Sequence, residues 1–201
     1  MRKLLIATHN RGKRKEYSEI LKDVPFELVT LDDVGIEDDV EETGKTFEEN
    51  ARLKATTYAN QSGLLTLADD SGLEVDALGG APGIYSKRYL GENKTDAERN
   101  TYLLEQLRDV PPEKRTARFR CVIVIADAKG NDWMSEGICE GAIGREPRGM
   151  NGFGYDPVFL LPERGKHLAE LTSEEKNKIS HRGRAAVGAR RILEEIAKRK
   201  I

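Results

Sequence analysis

Two cysteines, Cys121 and Cys139, are all that the 201-residue chain carries. So few exclude a disulfide scaffold, and their separation does not match the close pairs of a zinc site. No apolar run approaches the roughly 18 residues that a membrane helix needs. The opening Met1-Arg2-Lys3-Leu4-Leu5-Ile6 is apolar only briefly before His9, Asn10 and Arg11, so no export signal is expected. An excess of one charge is missing too: 33 Lys and Arg stand against 35 Asp and Glu, for a net charge of −2. That balance speaks against a protein that holds nucleic acid by bulk positive charge. Repeats, low-complexity tracts and Pro/Ser-rich linkers are also absent. The expectation is a cytoplasmic protein with neither a membrane nor a nucleic acid as partner.

What is present is enough for a core, with 38% hydrophobic residues. The length suits a single domain over residues 1–201, divided at most into two lobes. Charge is unevenly spread. Asp32 to Glu49 holds nine acids and one base, whereas Lys176 to Lys200 holds nine bases and two acids. Such runs are usually solvated faces; the functional alternative is an acidic wall for a metal and a basic wall for phosphate.

Periodicity gives the elements. Lys3–Thr8 reads as a short buried strand, and Asn10 as the N-cap of a helix over Lys13–Val24. Phe26–Leu31 is rich in strand formers. Thr46 and Glu49 form a capping-box pattern that opens a helix to about Asn60, and Thr95 and Glu98 form a second, before Leu103, Leu104 and Leu107. Leu64–Ala68 is a buried strand. Thr116–Ala126 is the clearest strand, with Ala117, Phe119 and Cys121 alternating against Arg118 and Arg120. Asp127–Asn131 turns it into another that runs to about Ile138. Val158–Leu161 is a short strand, and Ser180 caps a last helix. Strands that alternate with helices and then meander predict an α/β fold with a mixed sheet.

Five segments carry polar chemistry. Thr8-His9-Asn10-Arg11-Gly12-Lys13 joins a strand to a helix start, where backbone N–H groups favour anions; it lacks a Walker A spacing, and an ordinary N-cap is the simpler alternative. Asp69-Asp70-Ser71-Gly72 follows a strand; it reads as a turn, or as a Mg²⁺ site to which one of the two diverging Asp side chains contributes, with Glu41 or Glu42 able to supply the second carboxylate. Leu78–Ser86 is a Gly/Pro-rich loop. Gly149-Met150-Asn151-Gly152-Phe153-Gly154-Tyr155-Asp156-Pro157 sets an aromatic between two glycines, as a stacking platform or as a strand edge. Glu175-Lys176 and Ser180-His181-Arg182 bring cations to a helix start, against its dipole; a lone surface pair is the common explanation. Cys121 and Cys139 are expected to be core or packing residues, and His9 and His167 surface residues.

Taken together, these segments resemble the inosine triphosphate pyrophosphatase family. The residues that carry the resemblance are Ala7–Glu16, Glu41–Gly44, Thr46–Ala55, Ala68–Ser86, Gly152–Phe159 and Glu175–Ala185, collinear over nearly the whole chain. The resemblance implies a long mixed β-sheet flanked by helices, two lobes with a central cleft, and a homodimer. It implies Mg²⁺-dependent hydrolysis of ITP, dITP and XTP to monophosphate and pyrophosphate. By position, Thr8, His9, Asn10, Arg11, Gly12 and Lys13 resemble the triphosphate loop. Asp70 resembles the proton acceptor and a metal ligand, and Glu41 the second metal carboxylate, with Glu42 beside it as the alternative. Ser71, Phe153, Gly154, Tyr155, Asp156, Lys176, His181 and Arg182 resemble substrate contacts, with Phe153 as the stacking ring. Two other readings stay open: a pyrophosphatase for modified pyrimidine nucleotides, and a nucleotide-sensing module without turnover.

Overall fold

The computed structural model describes residues 1–91 and 93–199. Lys200, the last of the basic run, lies outside them. Among the described residues seven strands form one sheet in the order β2-β1-β3-β4-β5-β6-β7. They are β1 (Lys3–Ile6), β2 (Glu27–Thr30), β3 (Leu65–Val75), β4 (Thr116–Ala126), β5 (Asp132–Ile143), β6 (Phe159–Leu161) and β7 (Lys166–His167). β1 pairs in parallel with both β2 and β3. At the far end, β6 pairs antiparallel with β5 and with β7. The sheet is therefore mixed, as the order of elements predicts.

Among the described residues five α-helices accompany it: α1 (Arg11–Ile20), α2 (Phe47–Ser62), α3 (Asp96–Gln106), α4 (Ser173–Ile179) and α5 (His181–Lys198). Their starts follow local chemistry. The Asn10 side chain accepts from Lys13 N, which caps α1. Thr46 caps α2 by accepting from Glu49 N, but the Glu49 carboxylate reaches back to Lys45 N rather than closing the box. The Thr95–Glu98 box on α3 is complete in both directions. Among the described residues no helix is long and apolar enough to cross a membrane.

The chain divides into two compact units. The first contains residues 1–70, 121–137 and 182–201. In its core, Leu4, Ile6 and Leu67 pack with Tyr17 and Leu21 of α1, with Cys121, Ile123 and Ile125, and with Ala185, Ala189 and Leu193 of α5. The small α5 residues let that helix lie close. The second contains residues 71–120 and 138–181. Its core gathers Leu73 and Val75, Leu103 of α3 and Leu107 at the α3 C-cap, Phe119, Cys139, Tyr155, Phe159 and Leu168.

Several boundaries differ from the sequence expectation. β3 does not stop at Ala68 but continues through Asp69 and Asp70 to Val75. The polar pair reads as a turn only until Leu73 and Val75 resume burial beyond it. β5 likewise runs to Ile143 rather than Ile138. α4 and β7 are additional. His167 is not a surface residue: it is buried, its Nδ1 lies 2.5 Å from Pro157 O, and its backbone N–H donates to Glu170.

Candidate active site

Asp69 and Asp70 are consecutive residues of an extended strand, so their side chains leave on opposite faces. Both are buried. Asp69 Oδ2 accepts from Lys13 Nζ at 3.0 Å and from Arg182 Nη2 at 3.2 Å. Arg182 also donates through Nη1 to Glu16 at 2.6 Å, and its guanidinium lies over the Tyr17 ring. The Cys121 thiol approaches Asp69 Oδ2 at 3.6 Å. Burial alone would push the Asp69 carboxyl up; the Lys13 and Arg182 cations outweigh it and hold the group well below the usual carboxylate range.

Asp70 meets a different set. Its Oδ2 accepts from Asn50 Nδ2 at 3.2 Å, and its Oδ1 lies 3.4 Å from Lys54 Nζ. Lys54 Nζ also donates to Glu42 at 2.6 Å. Asn50 and Lys54 are one helical turn apart on α2, on the face that buries Ala51, Ala55 and Tyr58. Here burial wins: the Asp70 carboxyl is raised, with Lys54 and Lys13 opposing and Glu42 and Asp69 adding to the rise. Burial opposes the Lys54 ammonium, but Asp70, Glu42 and Asp69 keep it protonated, above its ordinary value.

The loop before α1 completes the first unit's polar surface. Thr8 Oγ1 accepts from Asn10 N, and His9 Nε2 lies 3.3 Å from Asp38 O. Arg11 is exposed, whereas Gly12 and Lys13 are half-buried. No acid occupies the first turn of α1, which leaves the positive end of its dipole uncompensated by its own residues.

The second unit brings together Phe153, Asp156 and Lys176. Phe153 N donates to Asp156 Oδ2 at 2.9 Å, and Lys176 Nζ pairs with the same oxygen at 2.5 Å. The Lys176 ammonium also lies 4.9 Å from the centre of the Phe153 ring. Glycine is required at 152: its φ is +76°, and a Cβ there would run into the Asp156 carboxylate. Tyr155 is buried and its hydroxyl donates to Ser86 O at 3.0 Å, so it anchors the loop. The His181 ring is buried and stacks on Phe119, with centroids 4.6 Å apart and planes 13° from parallel. Ser71 follows Asp70 in β3 and is half-buried.

His181 and Arg182 are thus interior residues rather than a surface pair. Glu41 is exposed, and Glu42 is the carboxylate that meets Lys54. Sequence reasoning passed over Asn50 and Lys54. Their signal was there, a polar i,i+4 pair on the alanine-rich stripe of α2, where a solvated face would not place it.

The Ham1 family profile matches residues 4–191 of the chain. The chain belongs to the Ham1 family. This Ham1 chain is 52% identical over 194 residues to a dITP/XTP pyrophosphatase of Desulforamulus reducens, covering 96% of each. It is 47% identical to the dITP/XTP pyrophosphatase of Bacillus subtilis, covering 96% of this chain and 98% of that one. The solved structure of a HAM1 protein from Coxiella burnetii superposes with a TM-score of 0.88 at 44% identity, covering 97% of this chain and all of that one. Identity at this level over nearly complete chains extends the family assignment to the sheet and helices described above.

Among the described residues no three His, Cys, Asp or Glu side chains gather as a ready metal cage. Asp70 and Glu42 nonetheless share one cation, the Lys54 ammonium. Two hard carboxylates on one positive charge fit Mg²⁺, which takes one or two carboxylates and completes its shell with water and phosphate oxygens.

Proposed function

We propose that this chain hydrolyses dITP, XTP and ITP to the monophosphate and pyrophosphate with Mg²⁺. The observation that carries the reading is the buried Asp70 carboxylate, raised by its surroundings and sharing Lys54 with Glu42. The names of the relatives, dITP/XTP pyrophosphatases, support the same reaction.

Phosphoanhydride cleavage needs positioning and charge neutralisation more than covalent chemistry. Asp70 and Glu42 would hold Mg²⁺, which supplies charge neutralisation to the phosphate oxygens. Asp70 accepts the proton of the water that attacks the α-phosphorus. As the new P–O bond forms, the bond to the pyrophosphate oxygen breaks, and the proton later returns to solvent. A raised carboxyl is the better base near neutral pH. Lys13 has three N–H donors and spends one on Asp69, so two remain for phosphate oxygens. Thr8, His9, Asn10, Arg11 and Gly12 add the helix start and its dipole. Arg182 commits both terminal nitrogens to Glu16 and Asp69, so we assign it the positioning of Asp69 rather than base contact.

In the second unit, Phe153 supplies the stacking ring and His181 a donor to a purine 6-keto oxygen, with Ser71, Gly154, Tyr155, Asp156 and Lys176 around them. A 6-amino purine would meet that donor with a donor, and a buried unpaired group costs about 1–3 kcal/mol, tenfold or more in rate. A homodimer belongs to the same reading and is tested by light scattering at twice the chain mass.

The test is hydrolysis of dITP, XTP, ITP, dATP and dTTP with Mg²⁺ and with EDTA, with pyrophosphate and orthophosphate resolved. Pyrophosphate from the 6-keto purines, lost with EDTA, supports the proposal. Orthophosphate would overturn attack at the α-phosphorus, preference for dTTP the base assignment, and binding without turnover the enzyme itself.

A further inference from the structure

Asn100 breaks the pattern of its helix. It lies three residues before Leu103 and seven before Leu107, on the apolar stripe of α3, and is only 4% exposed. Its Oδ1 is buried with no hydrogen-bond partner among the described residues. A position chosen for stability alone would carry an apolar side chain, because an unpaired buried acceptor is costly. The other end of the amide has a use: Nδ2 donates to the carbonyl of Gly154 at 3.1 Å. One turn earlier, Asp96 Oδ2 accepts from the backbone N–H of the same Gly154 at 2.7 Å. The Asp96 carboxylate is itself steadied by Arg99, whose Nη2 lies 2.7 Å from Oδ1.

One residue is therefore held at both of its backbone polar groups by two side chains from a single helix turn. That residue follows Phe153 directly and has a φ of +63°, a conformation only glycine adopts without strain. Its two bonds fix the peptide units on either side, and the first of these carries the Phe153 carbonyl. On the other side Phe153 N is held by Asp156. The backbone around the ring is pinned from two directions, and α3 supplies one of them.

We infer that Asp96 and Asn100 are positioning residues that set the orientation of the Phe153 ring, and thereby the affinity for the purine. The second clause rests on the reading of Phe153 as the base platform; the first does not. A ring held in one orientation before substrate arrives loses less freedom on binding.

The two clauses are tested separately. For orientation, the phenylalanines are replaced by 4-fluorophenylalanine, and the ¹⁹F line of position 153 is assigned by its loss in Phe153→Leu. A line that shifts or broadens in Asp96→Ala and in Asn100→Leu, and is restored in Asp96→Asn, supports the clamp. A line unmoved in both variants overturns it. Asn100→Leu completes the apolar stripe, so its thermal midpoint should match or exceed that of the unmodified chain. Should it fail to fold, the half-exposed Asp96 variants carry the test alone.

For use in binding, KM and kcat for dITP are measured in the same variants, alone and combined with Phe153→Ala. Each lost hydrogen bond should raise KM about fivefold. Turnover should change far less. On the Phe153→Ala background the added effect should shrink below about twofold, because residues acting through one ring are not additive. A KM rise of equal size with and without the ring overturns the second clause. If Phe153→Ala leaves KM unchanged while the ¹⁹F line still responds, the base-platform reading fails and the clamp stands.

Discussion

The two faces of β3 carry the same functional group and treat it in opposite ways. On one face Asp69 is fully buried, yet it is held ionised, because Lys13 and Arg182 both donate to one of its oxygens. On the other face Asp70 is almost as deeply buried and is raised: burial outweighs the Lys54 cation, which Asp70 shares with a second carboxylate, Glu42. The comparison teaches that burial does not set the state of a carboxylate by itself. The cations that reach it decide: Lys13 and Arg182 both donate to Asp69, with Arg182 also serving Glu16, whereas Asp70 meets Lys54, which it shares with Glu42. A carboxylate held charged and a carboxyl raised toward its neutral form are thereby built from adjacent residues.

The sharpest way to break the contrast is Asp69→Asn. It strips the half-buried Lys13 and the buried Arg182 of their shared partner, and breaking a buried pair of this kind costs about 3–5 kcal/mol. Chemical denaturation should show that loss at neutral pH. The difference should shrink as pH falls below the ordinary carboxylate value of 3.8, because a carboxyl lowered by folding contributes stability above that value and loses it as acid protonates it.

Next in size is the pair Glu42→Gln and Glu41→Gln. If Glu42 holds the metal with Asp70, its neutralisation should raise the Mg²⁺ concentration needed for half-maximal rate at least about tenfold. The exposed Glu41 should change it little. A larger effect at Glu41 would return the metal to the position that the family resemblance favours.

Asp70→Asn should separate function from stability. Turnover falls to background while the metal-free protein, kept in chelator, gains thermal stability. A carboxyl raised by folding binds its proton more tightly in the folded state, so stability declines as pH rises above 3.8, and the amide escapes that decline. The gain should be a few degrees, about the response of a chain of this size to 1 kcal/mol, and should vanish in acid. The smallest effect is expected from Tyr17→Phe. The hydroxyl makes only a 4.0 Å approach to the Cys121 sulfur, and the ring under Arg182 survives. A loss below about 0.5 kcal/mol is expected; a larger one would put the hydroxyl among the supports of Asp69.

Much of this was legible in the residues. β4 begins and ends where the alternation of Ala117, Phe119 and Cys121 places it. The α3 start is written in Thr95 and Glu98. The divergence of Asp69 and Asp70 follows from strand geometry alone. What escaped has physical reasons. Asp69, Asp70, Ser71 and Gly72 have turn chemistry, so β3 was cut short; only long-range partners make carboxylates acceptable inside a strand. α4 is short and charged, and its Thr172–Glu175 capping box, complete in the structure, was the signal that could have found it. The choice between Glu41 and Glu42 depends on which one reaches Lys54, and neighbouring identical residues carry no local mark of that.

The two thiols have a consequence for experiment. Cys121 lies at 0% exposure in the core of the first unit, and Cys139 at 2% in the core of the second. Neither can meet an alkylating reagent until its surroundings open. Each is a built-in clock for its own half of the molecule, and labelling both at once, resolved by peptide mass, would time the two openings separately without introducing a single mutation.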